Sequence, residues 1–422
     1  ELFKGYRKSR RLTFDEKVKP VYLELAELLM QQANTVQDGK ENKLLEIRDT
    51  MELFKAAELQ DFFEDECVTA FKSKTKITGM NRTPPHTALI YPILLPESPT
   101  LLLIFPDSIK HAPLPVDTET LRQTAKSLRS LLDIRSKQHI KSPNRYRKSA
   151  SELYNWLIKP VETDLAAREI DTLIIAPDST LRVIPFSVLL DDNEKFLIEK
   201  YALATIPAIT LTDFESFERD SINPLLSGLS EGIPPLPNVP NELNAVRTVI
   251  GGKILLNKEF TFDNLTSELI NEPYSFIVMA THNKFAHTLE NTYLQIYDDK
   301  GELGKLTMNE LEEFISISRF REKKVDLLTL SACETAMGDE RAALGLGGIA
   351  VKSGAKSAIA TLWSVADDAA PLIITEFFRQ LKTSDVSKAK ALQKAQKKIL
   401  SEHPDYSHPT YWAPFLLVGN WL

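Results

Sequence analysis

The chain has 422 residues, 43% of them hydrophobic and 26% charged, with a formal net charge of -7. That length exceeds what one ordinary hydrophobic core supports, so a large domain with an appended module is expected, and the acidic balance leaves no electrostatic case for nucleic acid as a general partner. Two cysteines, Cys67 and Cys333, exclude a disulfide framework and suit a reducing, cytoplasmic setting; no run of about 18 apolar residues predicts a membrane span.

The opening residues, GluLeuPheLysGlyTyrArg, contain no starting Met and no signal-type apolar core, and read as the middle of a longer chain. From Phe14 to Phe71 apolar positions recur at helical spacing, through Val21, Leu25, Leu28 and Leu29, then Leu44, Ile47, Met51, Phe54 and Leu59. Two or three helices broken near residues 37–40 are expected, and Cys67 reads as a small core hydrophobe. Between Thr87 and Val116 two short β runs flank ProGluSerPro at 96–99, a hairpin pattern in which Pro92 points to an edge strand. Helices follow near 118–134 and 148–168, joined by a basic segment at 141–148 that reads as a solvated loop.

From Asp171 onward strands and helices alternate. Strands are expected at 173–177, 202–207, 224–229, 253–256, 276–280, 325–332, 357–363 and 415–418, and helices near 241–250, 307–315, 342–353, 369–381 and 388–400. This series is the signature of a mostly parallel central sheet flanked by helices, an α/β fold. Residues 1–80 are read as a helical N-terminal module, 81–150 as a β-hairpin and helix segment, and 151–422 as the main domain.

Two of these strands end on reactive side chains. The run 276–280 leads into Thr281 and His282, and the run 325–332 leads into Cys333. Roughly fifty residues separate them, enough for the crossover that a parallel pair requires. Ligands and catalytic groups gather beyond the C-terminal strand ends of open α/β sheets, so a thiol and an imidazole there read as a nucleophile and its base; each also has an ordinary reading as a packing residue.

Other motifs lose on context. GlyLeuSerGluGly at 228–232 matches a serine nucleophile pattern, but Pro234, Pro235, Pro237 and Pro240 prevent the helix that a nucleophile elbow needs. The pairs His282/His287 and His403/His408 lack the convergent partners of a zinc site, so no metal or cofactor is expected. GlyLeuGlyGly at 345–348 lacks a P-loop ending and reads as close helix packing. Asp367 and Asp368 precede Pro371 in a helix-start pattern, so either is read first as a cap; Asp367 is also a candidate for facing a basic P1 side chain. Asp298, Asp299, Glu334 and Asp339 are further acidic candidates.

Several stretches, in order, closely resemble the CHAT domain: ValMetAlaThrHis at 278–282, LeuThrLeuSerAlaCysGluThrAla at 328–336, ArgAlaAlaLeuGlyLeu at 341–346, AlaIleAlaThrLeuTrpSerValAlaAsp at 358–367 and TyrTrpAlaProPheLeuLeuValGlyAsn at 411–420. AlaProAspSerThrLeuArgValIleProPhe at 176–186 is also typical. The resemblance runs from about Tyr154 to the end. It implies a caspase-like fold and a cysteine endopeptidase in which His282 is the base and Cys333 the nucleophile. The backbone N–H groups of Cys333 and Asn283 would bind the oxyanion, and Asp367, Trp363 and Ser364 would contact substrate. It also implies a protein or peptide substrate, and a regulatory protein partner bound through repeats upstream. Caspase-like peptidases usually have Gly where this chain has Asn283, and that departure supports the alternative of a catalytically silent scaffold or interaction module.

Overall fold

Short runs of Leu, Ile, Val and Ala form the strands because they are covered on both faces: Thr172–Ile175, Pro224–Gly228 and Ser357–Thr361 are buried along their whole length. The structure is a computed structural model that describes residues 14–36, 38–63, 83–96, 98–133, 144–286, 288–320, 324–335 and 340–422. In chain order the strands are β1 (Thr87–Ile93), β2 (Thr100–Ile104), β3 (Ile109–Pro113), β4 (Thr172–Ile175), β5 (Ala202–Thr205), β6 (Pro224–Gly228) and β7 (Lys253–Leu256). They continue as β8 (Phe276–Phe285), β9 (Tyr293–Tyr297), β10 (Leu303–Thr307), β11 (Leu327–Thr335), β12 (Ser357–Thr361) and β13 (Phe415–Gly419).

All join one sheet in the order β10-β9-β8-β11-β12-β13-β5-β4-β1-β2-β3, with β6 and β7 added beside β8. The pairs β7/β6, β6/β8, β8/β11, β11/β12, β13/β5, β5/β4 and β4/β1 are parallel. The hairpins at the two ends and the β12/β13 pair are antiparallel.

The helices longer than a single turn are α1 (Lys19–Thr35), α2 (Lys40–Phe63), α3 (Thr118–Leu132), α4 (Tyr146–Leu157), α5 (Glu162–Ala167), α6 (Val239–Ile250), α7 (Phe262–Asn271), α8 (Met308–Ser316), α9 (Glu340–Gly347), α10 (Ile349–Ser353), α11 (Ala370–Thr383) and α12 (Lys388–Glu402). Local chemistry sets several of the ends. Asp117 accepts a hydrogen bond from Thr120 N at the start of α3, and Thr307 with Glu310 forms a capping box on α8. Met51 and Phe54 of α2 lie in the same buried cluster as Leu89 of β1 and Leu173 of β4. The helical hairpin and the sheet thus share one core.

Three expectations about the sheet change. Pro92 is not on an edge strand: β1 pairs with both β2 and β4, and Pro92 lies past the last β4 contact, Ile90 with Ile175. Its missing N–H is therefore harmless on that side. The edge is β3, which was not anticipated and which ends in Pro113. The apolar runs at 276–280 and 325–332 also do not end at the reactive residues; both strands continue beyond them.

Candidate functional site

β6 stops at Gly228, opposite Ala280 of β8, and β12 contributes its last partner, Ile359, opposite Thr329 of β11. β8 and β11 continue alone as a parallel pair, with β9 taking the edge of β8 at Asn283 and Lys284. A bulge breaks their register. Ser331 faces Ala280, but Cys333 faces Asn283, so Thr281 and His282 together stand opposite Ala332. An extra residue on one strand locally reverses its alternation and re-aims the side chains, a device common next to active sites. The bulge falls on the two strands that carry the predicted base and nucleophile.

His282 is half-buried, and its Nε2 lies 2.6 Å from the Pro234 carbonyl oxygen. A carbonyl only accepts, so Nε2 carries the proton and donates it, leaving Nδ1 as the basic nitrogen of the neutral ring. The loop that supplies this carbonyl is itself held. Asn257 Oδ1 accepts from Ser230 N at 2.8 Å and from Ser230 Oγ at 3.1 Å, and the Gln295 amide meets Ile233 N and O at 3.4 Å each. A Cβ on Gly232 would stand 3.0 Å from Gln295 Oε1 and 3.3 Å from His282 Cδ2, so a side chain there would make both neighbours give by a few tenths of an ångström, and Gly lets the loop lie close to the imidazole without that adjustment. Ser230, the serine of the rejected hydrolase pattern, is thus a loop anchor. The Pro234 carbonyl had no signal in the sequence beyond its place in a proline-rich loop.

The acidic candidates take different places. Asp367 Oδ2 accepts from Asn238 N at 2.9 Å, at the entrance to α6, and Asp368 Oδ2 accepts from Tyr406 OH at 2.8 Å. Neither caps α11, whose flanking residue Ala369 makes no side-chain cap, although Pro371 does sit in its first turn. The expected cap is therefore corrected: Asp367 serves another helix. Trp363 is fully buried, donates from Nε1 to Thr410 O at 2.9 Å and lies under the Arg129 guanidinium, while Ser364 is half-buried. Asp298 Oδ1 accepts from Lys300 N and Glu302 N in the turn after β9, and Asp299 is exposed in that turn. Cys67, His287 and Asp339 fall outside the described residues, as do the side chains of Cys333 and Glu334 and part of the 141–148 segment. Among the described residues no group of three His, Cys, Asp or Glu side chains is arranged to hold a metal, and no helix is long and apolar enough to cross a membrane.

One site group had no sequence signal. Glu242 in α6 is only 3% exposed and Ser331 in β11 only 1%, and neither Glu242 Oε1 nor Ser331 Oγ makes a hydrogen bond. Burial pushes the Glu242 carboxyl up to about 7; the neighbouring Ser331 hydroxyl pulls it back and the Asp367 charge pushes it further up. In sequence Glu242 is one acidic position in an amphipathic helix, and nothing there marks it as buried.

This group makes stability depend on pH. Its folded-state value of about 7 exceeds the ordinary 4.5, so between those values only the unfolded chain gives up the proton, and stability falls as pH rises through that window. Replacing Glu242 with Gln removes the penalty. Urea denaturation should show the Gln variant gaining about 2–3 kcal/mol on the parent between pH 4.5 and pH 8; parallel pH curves for the two chains would rule this out.

A mostly parallel sheet flanked by helices, with a Cys strand and a His strand running side by side past the edges of their neighbours, is the caspase-like arrangement. The family model for the CHAT domain matches residues 147–420, well over half of the sequence, and the chain belongs to the CHAT domain family. Its fold is similar to Saccharomyces cerevisiae separase in two crystal structures of the separase-securin complex, at 2.6 and 3.0 Å resolution, with TM-scores of 0.58 and 0.57 and 10% sequence identity in each. Each comparison covers 92% of this chain and 34% of the separase-complex chain, so this chain spans about a third of that length. No curated protein matches the sequence.

Proposed function

We propose that the chain is a cysteine endopeptidase that cleaves protein substrates through Cys333 and His282. The observation that carries this reading is the bulge that brings His282 opposite the residue before Cys333, together with the Pro234 carbonyl that fixes the imidazole tautomer. His282 Nδ1 takes the thiol proton, and the sulfur forms a bond to the scissile carbonyl carbon. The imidazolium, steadied by the Pro234 carbonyl, gives its proton to the leaving amine as the C–N bond breaks. Water then releases the acyl group and restores the thiol. The N–H groups of Cys333 and Asn283 are proposed to bind the oxyanion.

Asp367 puts a negative charge at the entrance to α6, and Ser364 lies three residues before it. This favours a basic P1 side chain, with Trp363 supporting the turn from the core. A reducing cytoplasm suits a thiolate nucleophile. The separase of the similar structures is in complex with securin, and a protein partner is proposed here too, bound through helical repeats upstream of the main domain.

One observation favours a second reading, a catalytically silent interaction module. Cys333 and Asn283 face each other in a parallel ladder. In such a pair one residue directs its N–H across to the partner strand and the other directs its N–H away, so the two donors converge on one oxygen only if the strand tips part.

Cleavage of peptide libraries with Arg, Lys and neutral P1 residues, together with labelling by a peptidyl thiol-reactive probe, decides between the two. The parent should cleave basic-P1 peptides and take up the probe, and Cys333→Ala should do neither. A parent as inert as Cys333→Ala in both assays ends the peptidase reading.

A further inference from the structure

Leu59, Phe62 and Phe63, in the last turns of α2, form with Leu344 an apolar cluster against which Leu211 and Leu289 pack. Leu344 belongs to α9, the first described segment after β11, and Leu289 lies shortly past Phe285, the end of β8. A single cluster therefore joins α2 to the first described helix beyond the strand bearing Cys333 and to the segment beyond the strand bearing His282.

The contact is close. A Cβ on Gly345 would stand 2.6 Å from Phe62 Cζ, and one on Gly348 would stand 2.6 Å from Phe63 Cε2. No side chain tolerates such distances, so α9 and the start of α10 rest directly on the two rings. Polar groups fix the same contact: Asp61 Oδ2 accepts from Nη1 and Nη2 of Arg341 at 3.1 Å each, and that guanidinium lies 5.3 Å from the Phe62 ring centre. On the other side Glu340, the first residue of α9, accepts from Ser179 Oγ at 2.7 Å. None of these groups takes part in the proposed chemistry.

We infer that Phe62, with Asp61, is a positioning residue for the dyad. The end of α2 sets how the exits of β8 and β11 lie, and through them the relation of His282 to Cys333. This rests on the reading of those two residues as base and nucleophile. It makes the helical hairpin part of the support of the reaction centre. A misplacement of about 1 Å costs on the order of 100-fold in rate, so loosening the cluster is expected to lower kcat about 10- to 100-fold with KM changed less than about twofold.

The test compares Phe62→Ala, Gly345→Ala and the double variant Gly345→Ala/Phe62→Leu, which trades one excess of volume for a deficit. Phe54→Ala is the control: the Phe54 ring stacks on Phe14, just before α1, and meets Tyr22 of α1 at a tilt, away from the α9 contact. All are made in a Cys67→Ser background and read in two ways, by kcat and KM on a cleaved peptide and by the rate at which iodoacetamide alkylates Cys333. Phe62→Ala and Gly345→Ala should lower kcat and shift the alkylation rate by about tenfold or more. The double variant should recover most of both, and Phe54→Ala should lose stability in urea while keeping both near the parent. Equal effects of Phe62→Ala and Phe54→Ala, or no recovery in the double variant, overturn the inference. A parent that cleaves nothing sinks the peptidase reading alone; the alkylation series then decides the positioning role by the same comparison.

Discussion

Replacing His282 with Ala is expected to lower kcat/KM for the best peptide substrate about 100- to 10,000-fold, the usual range for losing a general base. The expectation follows from the orientation of the ring. With Nε2 donating to the Pro234 carbonyl at 2.6 Å, the basic nitrogen is Nδ1, and Ala leaves no imidazole there to take the thiol proton. His282→Gln separates chemistry from architecture. Its amide can donate to the Pro234 carbonyl but is far too weak a base to take a thiol proton, so it should keep the loop in place and lose as much activity as Ala. Steady-state kinetics on the two variants and the parent measure this. Activity within about threefold of the parent in either variant would mean that the thiol loses its proton elsewhere.

The second large effect concerns stability. Glu52 of α2 is 3% exposed and accepts four hydrogen bonds. Its Oε1 takes Tyr91 OH at 2.7 Å and Ile209 N at 3.0 Å, and its Oε2 takes Thr210 N and Thr210 Oγ1 at 2.8 Å each. These donors come from β1 and from the turn after β5, so a single carboxylate ties the helix to two parts of the sheet. Burial, and then the Glu52 charge, raise the Tyr91 hydroxyl well above its ordinary value and keep it a donor. One turn on, Lys55 donates to Ala176 O at 3.0 Å and Pro177 O at 2.6 Å, and burial, with help from Arg182, lowers it to about 8. Glu52→Ala strands buried donors and leaves the Lys55 charge with less compensation. It is expected to cost about 3–5 kcal/mol in urea denaturation, with Glu52→Gln, which keeps one acceptor oxygen, falling between. A loss below about 1 kcal/mol would show that water or a rearranged loop satisfies the donors instead.

How much of this was legible depended on whether a feature lives in a residue type or in a partner. The strands from β4 to β7, β12 and β13, and the helices α6, α8, α11 and α12, announce themselves as apolar runs and helical periods and lie close to their expected spans, while the single helix expected over 342–353 is divided into α9 and α10. β8 outran its apolar stretch because Asn283 and Lys284 pair with Leu294 and Tyr293 of β9. The polar end of β8 is a strand in the company of β9 on one side and the end of β11 on the other, and TyrLeuGlnIleTyr is too short a pattern to mark β9 in advance. Pro92 misled for the same reason: a proline excludes a donor on one side of a strand, and only the register shows which side is empty. The residues His282, Cys333 and Asn283 were named from sequence, but the bulge that sets them against one another was not, since it depends on pairing. A backbone carbonyl such as that of Pro234 has no letter at all, and Glu242 looks like any acidic position on a helix until the sheet covers it.

β13 lies at the middle of the sheet, antiparallel to β12 and bonded to β5 by the register of Val418 with Thr205. Every other strand precedes it in the chain, so on a ribosome the two half-sheets emerge with β12 and β5 as open edges, and they can close on one another only after Phe415–Gly419 has appeared. Until then each edge offers unpaired N–H and C=O groups to any passing strand. Nascent or prematurely terminated chains that stop short of Phe415 should depend on chaperones and deposit as aggregates, and refolding from denaturant should end in a slow step that joins the halves.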